Sequence, residues 1–207
     1  MSPSAKQPEI CLDTISQLSA PLHETSSLTP LVHLLTLAYQ VKIPPRSKQE
    51  RLRTLLNTLS PPELSSSKHT DPQVRLGSYI RFLSPVLNGF AGMAEFEAAV
   101  GAFSKPGEFR EFWELEGKNL ITEFVSDGSS ERMIVGSDVS FLEEFVRDAT
   151  CRIGLTEKQR MLVLVPAESE VGDGIWEIPG EGDLVVKRGD GDEPQEIGRG
   201  YVELAIS

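Results

Sequence analysis

The sequence predicts an α+β protein with an N-terminal helical region followed by a small antiparallel five-stranded β-sheet or barrel. Two observations support this class. Up to about residue 149, most apolar residues recur at the three- and four-residue spacing of amphipathic helices. From Thr150 onward, β-branched and apolar residues form short runs separated by glycine, proline and acidic residues, which is typical of strands and tight turns. With 207 residues, the chain is long enough to bury a full core.

We expect three parts in order: a partly ordered segment 1–29, a helical region 30–149 and a small β-module 150–207. The first part mixes serine, threonine and proline with a short apolar stripe. That stripe predicts one marginal helical turn or two. Its members are Ile10, Leu12, Ile15 and Leu18.

Proline and capping patterns mark the helices. Thr29 followed by Pro30 predicts the start of a short buried helix, which ends before Pro44 because proline cannot continue the hydrogen-bond ladder. Ser47 and Glu50 have the spacing of a capping box and predict the clearest helix, residues 47–59. Further helices are expected as two within 73–103 joined near Asn88-Gly89, one over about 108–125, and one from Ser137 or Asp138 to Val146.

Five short runs predict the strands of the β-module. They are residues 151–155, 161–165, 174–178, 183–187 and 200–206. Between the second and third run, Gly172 or Gly174 can supply the positive φ that a turn needs, and Asp173 can accept hydrogen bonds from the turn backbone.

Charge and composition argue against several classes of protein. The net charge is −11, and the acidic excess lies after residue 70, which disfavours nucleic acid and anionic lipid as partners. The most apolar run, residues 31–41, is about half the length that spans a bilayer, so no membrane association is expected. Two widely separated cysteines and three scattered histidines predict no disulfide, metal site or cofactor. Reduced thiols favour a cytoplasmic protein.

The candidate ligand-binding residues are Asp173, Trp176 and Glu177. Their segment is interpreted first as a structural hairpin and second as a ligand loop. No phosphate-binding loop and no nucleophile elbow accompanies it. Cys151 is interpreted as a small buried apolar residue rather than a nucleophile. An enzymatic alternative places Asp173 and Glu177 around Trp176 as a carboxylate-based site in the β-module.

Residues 150–202 resemble the C-terminal region of fungal heterokaryon-incompatibility (HET-domain) proteins. The motifs occur in the same order as in that family, and a Phe112-Trp113 pair precedes them. They are Cys151-Arg152, Thr156-Glu157-Lys158, Pro166-Ala167, Val171-Gly172-Asp173-Gly174-Ile175, Ile178-Pro179-Gly180, Leu184-Val185-Val186-Lys187-Arg188 and Ile197-Gly198-Arg199-Gly200-Tyr201-Val202. The family's N-terminal HET domain, with its Tyr-x-x-Leu-Ser-Tyr-x-Trp-Gly signature, is absent.

The resemblance implies a fungal protein that shares a non-catalytic part of this family, and it supplies no catalytic residues. Together with the lack of a catalytic motif, it predicts an interaction or regulatory protein that binds a protein partner or a small ligand. The alternative is the small carboxylate-based enzyme described above.

Overall fold

The computed structural model describes residues 9–24, 28–43, 50–60, 72–89, 94–126, 141–178, 184–189 and 194–202. Within these residues there are seven helices and a short 3₁₀ turn, Leu22–Glu24. The helices are α1 (Leu28–Tyr39), α2 (Arg51–Thr58), α3 (Pro72–Phe82), α4 (Ser84–Gly89), α5 (Ala94–Phe103), α6 (Pro106–Phe112, continued by Trp113–Gly117 and Lys118–Ser126) and α7 (Phe141–Asp148).

In the part of the chain that the structure describes, six strands form one curled antiparallel sheet. They are β1 (Ile10–Leu18), β2 (Cys151–Thr156), β3 (Leu162–Pro166), β4 (Gly174–Glu177), β5 (Leu184–Arg188) and β6 (Gln195–Gly200). Their order across the sheet is β3-β2-β1-β4-β5-β6, so β1 pairs with β2 on one side and with β4 on the other. The described helices therefore lie in the chain between the first and second strands of the sheet.

This arrangement corrects several expectations. The stripe at the N-terminus was predicted to form a helical turn, but Ile10–Leu18 is a strand inside the sheet. Within the described residues the sheet consequently has six strands instead of five, and a strand precedes the helices. The last strand also lies earlier than predicted, at Gln195–Gly200, whereas residues 203–207 lie outside the described part.

The curl of the sheet brings its two edge strands together at one point. Leu164 and Tyr201 form an isolated bridge with two hydrogen bonds, 2.7 Å from the Leu164 amide to the Tyr201 carbonyl oxygen and 2.9 Å in the other direction. Pro166, two residues further along β3, has no N–H to donate. Its ring packs directly against Gly198, where a Cβ would lie 2.8 Å from Pro166 Cγ. Pro166 therefore limits the number of hydrogen bonds between the two edges of the sheet where they meet.

Among the described residues, two clusters of buried apolar side chains stabilise the fold. The larger one joins the helices to one face of β2 and β3, through Ile153, Leu155, Leu162 and Leu164. The smaller one fills the concave side of the sheet and consists of Ile15, Val163, Val165, Ile175, Leu184 and Val186. Because side chains alternate along a strand, β3 contributes to both clusters.

The helices predicted after residue 30 were confirmed in type but differ at the boundaries. The predicted start of the last one, Ser137 or Asp138, lies outside the described residues. Residues 73–103 contain parts of three helices instead of two, and the start of α2 does not use the predicted capping box. Ser47 lies outside the described residues, and Glu50 at the N-cap position makes no side-chain capping bond. Instead, the Glu116 carboxylate of α6 accepts a 2.8 Å hydrogen bond from the Leu52 amide. A helix far away in the sequence therefore supplies the acceptor for an N–H group at the start of α2.

A polar junction connects the sheet to α1. Gln17 on β1 and Gln40 after α1 exchange side-chain amide hydrogen bonds of 2.8 and 3.1 Å. Arg160, in the turn between β2 and β3, donates to the same Gln40 oxygen at 2.6 Å. The backbone of Arg160 is left-handed, with φ of 55°, and its carbonyl oxygen accepts from the Lys42 amide. This turn therefore contacts both layers of the molecule.

Candidate functional site

Asp173 lies in the turn between β3 and β4 and is only 3% exposed. Its two carboxylate oxygens accept hydrogen bonds of 2.9 and 3.0 Å from the guanidinium group of Arg188 on β5. A third bond, 2.8 Å, comes from the Glu170 amide in the same turn. Arg188 also donates to the carbonyl oxygen of Glu168 and pairs with the Glu170 carboxylate. The cluster fastens the turn to β5.

The surroundings of Asp173 favour its ionised form. Burial by itself raises the pKa of the carboxyl, but the hydrogen bonds from Arg188 and Glu170 and the charge of Arg188 outweigh it. The pKa of Asp173 is therefore lower than its usual value of 3.8. A general acid needs the opposite shift, because it must hold a proton near neutral pH. These contacts suit Asp173 to a structural role.

Trp176 lies on the convex face of the sheet, away from the cluster that fills the curl. It is paired across the strands with Cys11, and its indole ring lies close to the backbone of Gly174. A Cβ at Gly174 would lie only 2.6 Å from Trp176 Nε1, so glycine permits this close approach. The Lys187 ammonium lies 5.7 Å from the ring centroid and pairs with Glu9. We call the surface formed by Trp176, Cys11, Gly174, Lys187 and Glu9 the Trp176 surface.

Glu177 points to the other side of the sheet. It lies opposite Leu184, which belongs to the concave cluster, because neighbouring side chains on a strand alternate. The three candidate residues therefore occupy three settings: a buried ion pair for Asp173, the convex face for Trp176, and the end of the concave face for Glu177. Close spacing in the sequence does not bring their side chains into one group.

Asp13 on β1 is a buried carboxylate that the sequence did not single out. It is 2% exposed and accepts hydrogen bonds from the backbone amides of Thr14, Lys158 and Gln159, at 2.8 to 3.1 Å. Burial raises the pKa of Asp13, but the hydrogen bonds from these amides and from Thr156 lower it by a larger amount. The pKa of Asp13 is therefore below its usual value of 3.8. Asp13 thus holds the β2–β3 turn against the first strand.

In contrast to Asp13 and Asp173, Glu116 has a pKa that is raised. It lies in the π-helical turn Trp113–Gly117 and is half-buried where α6 meets the start of α2. Burial raises its pKa above the usual 4.5, the amides of Leu52 and Arg51 lower it, and the charge of Glu50 adds to the rise. Single π-helical turns within α-helices frequently occur at functional sites. Here the Glu116 carboxylate accepts the hydrogen bond of the Leu52 amide, one of the N–H groups at the start of α2 that have no partner within their own helix.

The two thiols differ in accessibility, and this gives a first testable prediction. Cys11 is exposed, whereas burial raises the pKa of Cys151 to about 11. At pH 8, about one thousandth of the Cys151 side chains would be thiolate, the form that reacts. We expect a maleimide reagent to modify Cys11 at least about a hundredfold faster than Cys151 in the folded protein. Mass spectrometry of Cys11→Ser and Cys151→Ser variants measures both rates. Equal rates would contradict the prediction.

Two further features concern ions and membranes. Among the described residues, no three His, Cys, Asp or Glu side chains form a group that could hold a metal ion. In the same part of the chain, no helix has both the length and the apolar character needed to cross a bilayer.

In comparisons with known proteins, no family model, no curated protein and no solved structure matches this chain.

Proposed function

We propose that this chain is a non-catalytic interaction or regulatory protein of the cytoplasm that binds a protein partner through the Trp176 surface. The role would be similar to that of the C-terminal region of fungal heterokaryon-incompatibility proteins, whose motifs the sequence resembles. The observation that carries the proposal is the contrast between Asp173 and Trp176. The carboxylate is enclosed and fully engaged by Arg188 and the turn, whereas the aromatic ring lies on the convex face of the sheet.

The chemistry of the Trp176 surface suits contact with another protein. Aromatic residues are enriched at the centres of interfaces, because they bury a large area with few rotatable bonds. Cys11 beside Trp176 is exposed. The helices pack against β2 and β3, on the other half of the sheet. A partner seated here would cover Trp176 and Cys11 together.

The carboxylate-based enzyme is the alternative. It requires Asp173 and Glu177 to act jointly, with one carboxyl held protonated by an apolar setting. The lowered pKa of Asp173 and the placement of Glu177 on the opposite face from Trp176 favour the binding role. A small ligand in place of a protein partner would use the same surface, and the experiment distinguishes the two.

The test compares three full-length variants in quantitative affinity purification, followed by calorimetric titration with the purified partner. Trp176→Ala and Cys11→Arg both alter the Trp176 surface. Val171→Arg is the matched control, because Val171 is 63% exposed on the turn between β3 and β4. We expect both surface variants to weaken the partner at least about tenfold, and the control to bind as the parent does.

Several results would contradict the proposal. A partner that is retained by both surface variants would place the interface elsewhere. A low-molecular-weight ligand that co-purifies with the parent and is lost in Trp176→Ala would favour the small-ligand alternative. Turnover of any substrate that disappears in a folded Asp173→Asn or Glu177→Gln variant would favour the enzyme.

A further inference from the structure

The concave side of the curled sheet contains an arginine as well as apolar residues. Arg152 on β2 lies opposite Val165 of β3, which belongs to the concave cluster, and cross-strand partners share a face. A Cβ at Gly154, two residues later on the same face, would contact Val163 and Ile15 of that cluster. The side chain of Arg152 therefore lies on the concave side, at the end of the sheet where β2 begins and β3 ends.

The guanidinium group of Arg152 is partly enclosed by the protein. Its Nε atom is buried and has no hydrogen-bond partner, and among the described residues no carboxylate pairs with it. Arg188, by comparison, pairs with both Asp173 and Glu170. Arg152 as a whole is partly exposed, so a ligand can reach it from solvent. A charged group that loses hydration requires a hydrogen-bonded partner, and for a guanidinium group this partner is an anion.

A buried serine in the turn between β3 and β4 provides a second polar group without a partner. Ser169 is only 2% exposed, whereas its neighbours Glu168 and Glu170 are exposed. The Oγ atom of Ser169 is buried and has no hydrogen-bond partner. Its side chain therefore lies on the inner side of the turn.

The hydrogen bonds of this turn place it across the end of the concave side that contains Arg152. The Ala167 amide donates to the carbonyl oxygen of Thr150, two residues before Arg152, at 3.0 Å. Further along the turn, the Gly172 amide donates to the carbonyl oxygen of Ile15 at 2.9 Å. The turn thus extends from the start of β2 to β1. The buried serine and the arginine consequently lie at the same end of the sheet.

We propose that Arg152 and Ser169 bind the carboxylate of a small monocarboxylic acid with a short aliphatic tail. A guanidinium group matches the planar geometry of a carboxylate and donates two parallel hydrogen bonds to it. The Ser169 hydroxyl donates a further one. This site lies on the opposite face of the sheet from Trp176, so it is separate from the surface proposed for a protein partner.

Charge and packing at the site favour a monocarboxylate over phosphate. Arg152 contributes one positive charge, and the exposed carboxylates of Glu168 and Glu170 flank Ser169 in the turn. A dianion would meet excess negative charge there. Val165 and Leu18 provide apolar surface beside Arg152, which suits an aliphatic tail.

The experiment is a titration of the full chain with sodium butyrate at constant ionic strength, followed by the NMR chemical shifts of its backbone amides. We expect the parent to bind butyrate with a Kd of about 1 mM, with the largest shifts in the turn between β3 and β4. Butyramide has a similar shape but no charge and should bind at least about tenfold more weakly. Inorganic phosphate should also bind more weakly than butyrate.

Variants test the two proposed ligands of the carboxylate. Arg152→Gln removes the charge and should weaken butyrate binding at least about tenfold, and Ser169→Ala should weaken it about threefold. Arg81→Gln is the matched control, because Arg81 is an exposed arginine on α3 that pairs with Glu143. It should bind butyrate as the parent does, and so should Trp176→Ala. The amide spectrum of each variant shows whether the fold is retained.

Four results would overturn the proposal. They are a parent that does not respond to butyrate up to about 20 mM, equal affinities for butyrate and butyramide, tighter binding of phosphate than of butyrate, and undiminished butyrate binding by folded Arg152→Gln. The first three need no variant, so they remain decisive even if a substitution prevents folding. None of them depends on whether a partner binds the Trp176 surface.

Discussion

Replacing Asp13 with alanine is expected to lower the free energy of unfolding by about 3 kcal/mol. The substitution removes the acceptor for the amides of Thr14, Lys158 and Gln159, and the site is only 2% exposed. Backbone N–H groups that lose their acceptor in a part-buried site regain only part of their hydration. Chemical denaturation at pH 7, followed by circular dichroism, measures the loss.

The matched control is Asp148→Ala. Asp148 is exposed in the last turn of α7, so its removal should change stability by less than about 0.5 kcal/mol. Asp13→Asn is informative as well, because it conserves the shape but brings an NH₂ group towards N–H donors. It should destabilise the fold to a similar extent as alanine. A loss below about 1 kcal/mol for both Asp13 variants would show that the turn is held by other contacts.

The contribution of Asp13 should also depend on pH. The pKa of Asp13 is lower in the folded protein than its usual value of 3.8, and the usual value applies to the unfolded chain. Its stabilising effect is therefore fully present above that value and is lost as pH falls through the folded-state pKa. The gap in stability between the parent and Asp13→Asn should be constant near neutrality and shrink below about pH 4. A gap that widens in acid would contradict this assignment.

Replacing Phe109 with alanine is expected to cost about 3 to 5 kcal/mol, because it leaves a cavity in the helical core. Phe109 has no exposed surface and packs edge-on against Phe112, with ring centroids 5.7 Å apart. Leu115→Ala on the same helix is the control, because Leu115 is 65% exposed, and it should change stability by less than about 0.5 kcal/mol. Urea titration of both variants gives the comparison.

The same titration tests whether helices and sheet unfold together. The core around Phe109 continues into Ile153, Leu155 and Leu162 of the sheet, so both layers share one apolar cluster. Helical circular dichroism and the fluorescence of Trp176, in a Trp113→Phe background, should report one coincident transition. Two separate transitions would mean that the helices form an independent unit.

Local sequence patterns were sufficient to predict several helices and strands. Helix α1 was predicted from Thr29-Pro30 at its start and from Pro44 beyond its end. Helix α2 was predicted because leucine recurs along one side of it, a periodicity that exists before any tertiary contact. The strands β2 to β5 were predicted because short β-branched runs between turn residues have few other structures open to them. The turn role of Asp173 was likewise expected from the glycines around it.

The first strand could not be predicted in this way. Its pairing shifts register between Cys11 and Asp13 on the β4 side and between Ile15 and Gln17 on the β2 side. Each irregularity breaks the alternation of apolar and polar residues, so the period of two is lost over Ile10–Leu18. The strand β6 was predicted too late in the sequence for a related reason: it is an edge strand without a fully buried residue, so it lacks the apolar signal.

The roles of individual side chains depended on contacts between distant parts of the chain. Asp13 differs from an ordinary surface aspartate only because β1 lies beside a turn about 145 residues later, where Lys158 and Gln159 direct their amides at it. Trp176 and Glu177 were grouped by their position in the sequence, yet the pleat of β4 directs them to opposite faces. The sequence determined the periodic elements and the class of fold, since those follow from local backbone geometry. Strand order and the partners of each carboxylate were decided only by the tertiary structure, because burial and hydrogen bonding are set by residues far apart in the chain.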